Sequence, residues 1–266
     1  MNAPPEIVTK NDLLSLQLPS TIDEVITQLE KIIIYCEINN NCAGYFAVLY
    51  LRVTSKVKDC INNKDFEDGV RMERLDVTFA NRYLDAFYSW IAGKQATNSW
   101  KIAFDSVAQN KSLVLQHLLL GMNAHINLDL GIATVVVMEG FSLDGIHNDF
   151  NTMNSILASM TDNMEDCLTK VNPLMKLLNL KIYKYDEMLV QFSISTARDG
   201  AWIFARELSG KKGNDYKNCI SSRDDNILQL GSSIANPRGF LLKFIVKIIR
   251  LFEKKNVAAA IKLLGI

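Results

Sequence analysis

The sequence contains few of the residues that interrupt regular structure. Only five prolines and thirteen glycines occur among 266 residues, and segments that alternate polar and apolar residues are scarce. Because proline and glycine end helices, and half-buried strands need such alternation, helix is the default prediction along the whole chain. We predict an all-α, single-domain bundle of about eight to ten helices around a buried central helix over residues 111–138.

The sequence also lacks an excess of charge and paired cysteines. Lys plus Arg and Asp plus Glu both number 29, so there is no global field to attract nucleic acid or an acidic substrate. Aromatic residues are spread out and form no basic-aromatic platform, and we expect no nucleic-acid partner. The five cysteines include no CxxC pair, which is typical of free thiols in a reducing cytoplasm and disfavours cysteine-ligated zinc.

Several common sequence signals are missing. The N-terminus has no charged start followed by an apolar run, so it does not resemble a secretory signal. No stretch of about 18 apolar residues is free of charges, so we expect no transmembrane segment and a cytoplasmic location. The chain contains no GxGxxG, GxxxxGK[ST] or GxSxG motif, which excludes the usual nucleotide cradles and the serine-hydrolase elbow.

The order of helices can be read from periodicity and capping residues. Residues 1–20 are predicted to form an N-terminal arm whose three prolines prevent regular structure, and residues 21–266 a single helical domain. Thr21 and Glu24 form a capping box that opens a helix through about Glu37. Further helices are predicted over 43–61, 68–93, 98–138 in two pieces, 149–171, 184–208, 215–230 and, as a pair, 237–265.

Residues 117–131, HLLLGMNAHINLDLG, place polar side chains on faces of a helix that should be inaccessible to water. At about 100° per residue, one slowly turning stripe contains His117, Gly121, His125 and Asp129. Apolar residues occupy most of the remaining surface, which predicts a buried helix. Buried polar groups need partners, and a buried His/Asp pair is a place where chemistry can occur.

Helical phase also puts carboxylates on the apolar faces of three other predicted helices. Asp76 shares its face with large apolar residues, and Glu73 lies one turn before it. Asp149 and Asp199 are placed in the same way on two later helices. We therefore expect these four acids to point toward the interior.

Inward Glu, Asp and His side chains are the groups from which helix bundles build metal sites. His125 and Asp129, at positions i and i+4, lie about 6 Å apart along the helix axis and can share one ion. Glu73 and Asp149 are candidates to complete the ligand set. Oxygen ligands with one histidine favour magnesium, manganese, iron or zinc over copper.

The same residues can act without a metal. Clustered carboxylates raise one another's pKa and can serve as general acid and base. His125, Asp129, Asp76 and Asp199 are the candidate catalytic residues in this interpretation. The substrate would be a small, partly apolar molecule.

Each polar residue also has a structural interpretation. Asp149 stands where a helix N-terminus stabilises a carboxylate through backbone N–H groups. Glu73 and Asp76 can form buried ion pairs with arginines. His117 lies about 12 Å from His125 along the helix axis, which favours a hydrogen-bonded core histidine over a shared ligand.

The C-terminal segment FLLKFIVKIIRLFEKK, residues 240–255, is a strongly amphipathic helix. Lys243, Lys247, Arg250 and Lys254 fall on one face, which could lie on an anionic membrane surface. The width of the apolar stripe favours a different arrangement, in which the helix docks its apolar side onto the domain.

Three segments together resemble a known family: ERLDVTFANRYLDAFYSW (73–90), VLQHLLLGMNAHINLDLGIA (114–133) and DFNTMNSIL (149–157). They are similar to a widespread bacterial family of unknown function with an N-A-H-I-N-x-D-L signature, which is intact here over residues 123–130. The resemblance runs over most of residues 21–250. It implies an all-helical fold and no established activity.

Three function hypotheses follow from these patterns. The first is an enzyme with a buried acid–base or metal site between helices, centred on His125 and Asp129. The second is a non-catalytic helical module that binds a small molecule or a partner, with a buried polar network that serves the fold. The third is a peripheral membrane protein that uses the basic C-terminal helix.

Overall fold

The computed structural model describes residues 7–174 and 194–266. Within these ranges the chain forms helices and turns and no β-strand, which confirms the all-α prediction. The helices, numbered in chain order, are α1 (Lys10–Leu14), α2 (Ile22–Ile38), α3 (Gly44–Asn62), α4 (Gly69–Ile91), α5 (Asn98–Gln109), α6 (Val114–Ala124), α7 (Leu130–Val137), α8 (His147–Ser159), α9 (Thr161–Val171), α10 (Ile194–Ser209), α11 (Gly213–Ala235), α12 (Phe240–Phe252) and α13 (Val257–Leu264).

The centre of the fold is one continuous helical stretch, Val114–Val137, close to the predicted range. It consists of α6, a π-helical turn over His125–Asp129, and α7. This stretch is long and apolar enough to cross a membrane by length and composition, with a mean hydropathy of 1.3. In the fold, however, 78% of its apolar window is buried against other helices, as in a core helix.

In the described part of the chain, five helices pack closely against this central stretch. Its N-terminal half packs against α3, α5 and α11, and its C-terminal half against α4 and α10. Two glycines permit the closest approaches, because a Cβ on Gly121 would lie 2.4 Å from Phe46 and one on Gly131 would lie 2.6 Å from Phe204. The polar residues of the central stretch therefore face other helices and not solvent.

The predicted start of α2 is correct, but its capping differs in detail. The Thr21 hydroxyl accepts a hydrogen bond from the Glu24 backbone N–H at 3.3 Å, as the sequence predicts. The main partner of the Glu24 carboxylate is Ser20 and not Thr21. The carboxylate accepts from the backbone N–H of Ser20 at 2.7 Å, one residue earlier.

Two boundary predictions are wrong. Residues 10–14 form helix α1, because Thr9 and Asp12 build a capping box between the prolines and Leu13 is completely buried. The predicted helix over 149–171 is two helices, α8 and α9, separated at Met160. The predicted helix over 184–208 lies partly outside the described residues, and its described part is α10.

We predict that Gly121→Ala lowers the free energy of unfolding by about 1–3 kcal/mol, because the added methyl group overlaps the Phe46 ring in a packed interior. Urea denaturation followed by circular dichroism measures this change. Gly210→Ala is the matched control, since no atom lies within 4 Å of its added Cβ. An equal loss of stability in both variants would contradict the close-packing explanation.

Candidate functional site

The predicted His125–Asp129 pair lies in the π-helical turn. Leu130 closes this turn with a backbone hydrogen bond to the carbonyl of His125, five residues earlier. Such turns insert one residue into an α-helix and occur often at functional sites. Residues after the turn are therefore rotated by about 100° from the face that a regular helix predicts.

Asp129 is fully buried and has three hydrogen-bond donors. Its Oδ1 accepts from Arg82 Nε at 3.0 Å, and its Oδ2 accepts from Trp100 Nε1 at 2.8 Å. The Nδ1 atom of His125 lies 3.2 Å from Oδ2. Both oxygens are thus engaged by protein groups, and the carboxylate serves to hold the imidazole in place.

The orientation of His125 leaves Nε2 as its free nitrogen. Because Asp129 accepts at Nδ1, we assign the ring proton to Nδ1 and the lone pair to Nε2. Among residues 7–174 and 194–266, Nε2 has no hydrogen-bond partner. The Phe79 ring stacks on the imidazole with a centroid distance of 3.5 Å and an angle of 4°.

Burial also determines the charge of this imidazole. Removal from water lowers the pKa of His125, and the hydrogen bond and charge of Asp129 only partly oppose that effect. The ring is therefore neutral at pH 7. A neutral imidazole with one free lone pair can accept a proton.

His125 lines a cavity of about 500 Å³. The cavity lies between α3, α4, the central stretch, α8, α9 and α10, and its wall is almost entirely apolar. Five methionines contribute to the wall: Met72, Met122, Met153, Met160 and Met164. The described residues contribute few polar groups: Tyr50, Asp76, His125, Glu165, Ser195 and Arg198.

Asp76 is the carboxyl group of this cavity with the most altered pKa. It is 7% exposed, and its Oδ2 has no hydrogen-bond partner in the part of the chain that the structure describes. Burial, with a smaller contribution from the charge of Glu73, raises the pKa of Asp76 to about 7. Asp76 therefore exchanges a proton near neutral pH, as the acid–base interpretation requires.

Tyr50 lies beside these two groups. Its ring is 4.6 Å from the His125 ring in an edge-to-face arrangement. Burial and the negative charges of Asp76 and Asp129 raise the pKa of its hydroxyl well above its usual range. Tyr50 therefore keeps its proton, and its neutral side chain lines the cavity.

The other predicted acids lie elsewhere. Asp149 is buried, but it accepts from the backbone N–H groups of Glu67 and Asp68 at 2.7 and 3.0 Å, at the start of α4. Asp149 thus binds backbone N–H groups, as the structural interpretation predicts, but they belong to the start of α4 and not to its own helix. The Glu73 carboxylate is half-buried and accepts from the Ile22 N–H at 3.3 Å.

The inward placement of Asp199 is wrong. Asp199 is exposed, and so is Ile203 one turn later on the same face. The buried face of α10 instead contains Ala197, Arg198 and Ala201. Apolar residues occur on both sides of this helix, and packing buries the side that contains the small alanines.

The predicted metal ligands do not form one cluster. His125 and Asp129 meet, whereas Glu73 and Asp149 are bonded to backbone groups elsewhere. Across residues 7–174 and 194–266, no group of three or more His, Cys, Asp or Glu side chains could hold a metal ion together.

His117 is separate from this site and buried, as predicted, but it is not hydrogen-bonded. Neither ring nitrogen has a partner among the described residues. Burial, together with the charge of Arg250, lowers the pKa of His117 to about 4. It is a neutral core residue beside Tyr45, with ring centroids 5.8 Å apart.

The sequence does not assign four side chains of the site: Tyr50, Arg82, Trp100 and Arg198. Tyr50, Trp100 and Arg198 have no periodicity signal, because an aromatic residue or an arginine on a helix usually serves packing or lies on the surface. Arg82 is on a different helical face of α4 from Asp76, yet it donates to Asp129. A buried carboxylate such as Asp129 needs a nearby cation, and this requirement could have identified Arg82 from the sequence.

Comparison with known proteins gives a family and no activity. A family model described as a family of unknown function (DUF5995) matches residues 22–237. This range contains the cavity-lining residues and ends before α12. No curated protein and no solved structure matches the chain.

We predict that Asp76→Asn changes how stability depends on pH. The pKa of Asp76 rises from its ordinary 3.8 to about 7 on folding. Its stabilising contribution is therefore fully present below the lower value and is lost as pH rises through about 7. Relative to the wild type, the variant should gain up to about 4 kcal/mol between about pH 4 and pH 8.

Urea unfolding at a series of pH values measures this difference. Asp85→Asn, which removes an exposed carboxyl group from the same helix, is the matched control, and its profile should run parallel to that of the wild type. A constant offset for Asp76→Asn across the pH range would show that Asp76 does not titrate as described.

Proposed function

Because the chain belongs to the DUF5995 family, whose function is unknown, we propose its function from the site itself: an enzyme that binds a small, mostly apolar molecule in the central cavity and transfers protons to or from it. One observation carries this proposal. An imidazole oriented by Asp129 lines an apolar cavity, and its Nε2 has no partner among the described residues.

His125 is the general base in this proposal. A base must be neutral before the reaction, and burial keeps the His125 imidazole neutral by lowering its pKa. When Nε2 takes a proton from the substrate, the ring becomes positive. Asp129, held by Arg82 and Trp100, is already in place to stabilise that charge.

Asp76 is the second proton-transfer group. Its pKa of about 7 allows it to donate a proton to the substrate and to regain one from solvent at neutral pH. The neutral hydroxyl of Tyr50 is available as an additional hydrogen-bond donor. The cavity thus has a base and an acid whose environments have moved their pKa values in opposite directions from their ordinary ones.

The apolar wall determines the class of substrate. A volume of about 500 Å³ is in the range of small-molecule sites, and the methionine and leucine side chains of the wall favour a mostly apolar body. The same wall excludes water and strengthens the electrostatic interactions of the few polar groups. A small polar metabolite would leave most of the apolar side chains of the wall without an apolar contact.

We predict that the protein accelerates ring opening of nitrobenzisoxazole, a small apolar probe for a buried base. In this reaction a C–H proton passes to the base, the N–O bond breaks, and its electrons go to the leaving phenolate oxygen. His125→Gln should reduce kcat/KM by at least about 100-fold, the lower end of typical general-base contributions. Absorbance of the released phenolate measures the rate.

His147→Gln is the matched control, because His147 is exposed on α8 and does not line the cavity. Nile red fluorescence, read in parallel, reports whether His125→Gln still binds an apolar molecule. A wild-type protein that binds Nile red without accelerating ring opening would contradict the enzyme and favour a non-catalytic binding module. Rates that fall after treatment with a chelator would instead assign the reaction to a bound divalent metal.

A further inference from the structure

Arg198 is a buried cation in the wall of the same cavity. Its side chain lies on α10 and is only 4% exposed. Its Nη2 donates to the carbonyl oxygen of Phe150 at 2.5 Å, and its Cζ lies 4.5 Å from the centroid of the Phe150 ring. The Nε atom has no hydrogen-bond partner in the described part of the chain.

No carboxylate of the described residues compensates this charge through an ion pair. Burial lowers the pKa of Arg198 to about 10. The charge of the neighbouring Asp199, which is exposed, opposes this effect but is the smaller of the two. The guanidinium is therefore positive at neutral pH. Its partners among the described residues, one carbonyl and one ring face, do not replace the hydration that a buried cation loses.

We propose that the molecule bound in the cavity is an amphipathic carboxylate, such as a medium-chain fatty acid, whose carboxylate pairs with Arg198. Its apolar chain extends along the methionine and leucine side chains of the wall. This inference rests on the proposed small-molecule site and names its ligand class. A carboxylate carries one negative charge and matches one guanidinium, whereas a phosphate dianion would remain half compensated in an apolar wall.

The pairing also restores the hydrogen bonding of Arg198. A guanidinium presents its donors as a planar fork that fits a carboxylate, and Nε is one of the donors of that fork. Because the surrounding wall is apolar, water does not compete for the pair. The ion pair fixes the charged end of the ligand. The length of the ligand's apolar chain then determines which of its carbon atoms lie near His125 and Asp76.

Isothermal titration calorimetry with decanoate and decan-1-ol tests this inference. The two probes share a ten-carbon chain and differ in the charge of the head group. We expect decanoate to bind the wild-type protein at least about tenfold more tightly than decan-1-ol. Arg198→Met should remove this preference, because it keeps the apolar length of the side chain and deletes the cation.

Two further variants separate the possible outcomes. Arg206→Met, on an exposed position of the same helix, should keep the preference for decanoate. Val53→Phe, which fills part of the cavity wall, should weaken both probes. If the wild-type protein binds both probes equally and Val53→Phe weakens that binding, the role of Arg198 is overturned and the cavity site stands. If neither probe binds, both the role of Arg198 and the cavity site are overturned.

Helix α12 is only partly covered by the other described residues. One side is attached to the domain: Ile249 is buried, and the amide of Asn172 donates to its carbonyl oxygen at 3.0 Å. Arg250 donates to the carbonyls of Asn110 and Ser112. The predicted docking of the apolar side is therefore only partly correct: Ile249 is buried against the domain, and Arg250, predicted on the charged face, also contacts the domain.

The other side of α12 is a stripe of exposed apolar residues. Phe240 is 88% exposed and Leu251 73%, and Phe244 and Phe252 are also exposed. At about 100° per residue these positions fall within one third of the helix circumference. Large aromatic side chains grouped in this way on a surface mark an interaction site.

Positive charge borders this stripe. Lys243 and Lys247 are exposed along one edge, and Lys254 and Lys255 follow the helix. The acid nearest to them in sequence, Glu253, is half-buried and accepts a hydrogen bond from the Val114 N–H at 3.0 Å. The exposed face of α12 is thus both apolar and positive.

We infer, independently of the cavity, that the exposed face of α12 binds an anionic lipid bilayer. An apolar stripe with flanking lysines inserts its aromatic rings at the headgroup boundary while the ammonium groups contact lipid phosphates. A protein partner would need matching acidic groups around an apolar groove, whereas an anionic bilayer presents both chemistries over its whole surface.

Co-sedimentation with vesicles tests this surface. The full chain should bind phosphatidylglycerol-containing vesicles at least about tenfold more tightly than pure phosphatidylcholine vesicles, and less tightly in about 1 M salt. The double variant Phe240→Ser, Phe244→Ser should lose at least about tenfold of that binding. Phe141→Ser removes an equally exposed phenylalanine from a distant loop and should have no effect.

Equal losses in both variants, or no binding to anionic vesicles at low salt, would overturn the bilayer inference. A double variant that keeps vesicle binding but no longer associates with itself in analytical ultracentrifugation would assign the stripe to a second copy of the chain instead.

Discussion

The site depends on how one buried carboxylate is satisfied. Asp129 lies inside the central helical stretch with no exposure to solvent, where an unpaired charge would cost several kcal/mol. Arg82 from α4, Trp100 from α5 and His125 from the same π-helical turn supply its hydrogen bonds. These donors connect three parts of the chain at one point. Oδ1 depends on Arg82 alone, whereas Oδ2 is shared by Trp100 and His125.

In this arrangement the negative charge and the nitrogen that can accept a proton belong to different residues. The negative charge of Asp129 is enclosed by donors, while the imidazole that it orients lines an apolar cavity as a neutral base. Asp76 reaches the same cavity from α4 with its pKa raised by the same cause, loss of water. Burial thus lowers the pKa of a base and raises the pKa of an acid within one cavity, because in each case it disfavours the charged form.

The sequence predicted part of this site correctly and part incorrectly. The i, i+4 spacing of His125 and Asp129 placed them on one turn of a buried helix, and they are in contact. The apolar neighbours of Asp76 predicted its inward position. The same argument put Asp149 inside correctly but attached it to the wrong group, and it failed for Asp199, which is exposed.

What the sequence by itself determined is the helical class, the buried central helix and the faces of its polar residues, because periodicity and composition are local properties of the chain. Only the tertiary structure decided which side chains meet: Arg82 and Trp100 at Asp129, Asp76 and Arg198 at the cavity. Helical phase specifies a direction from one axis, whereas a contact depends on the packing of several axes, and the π-helical turn changes the phase itself.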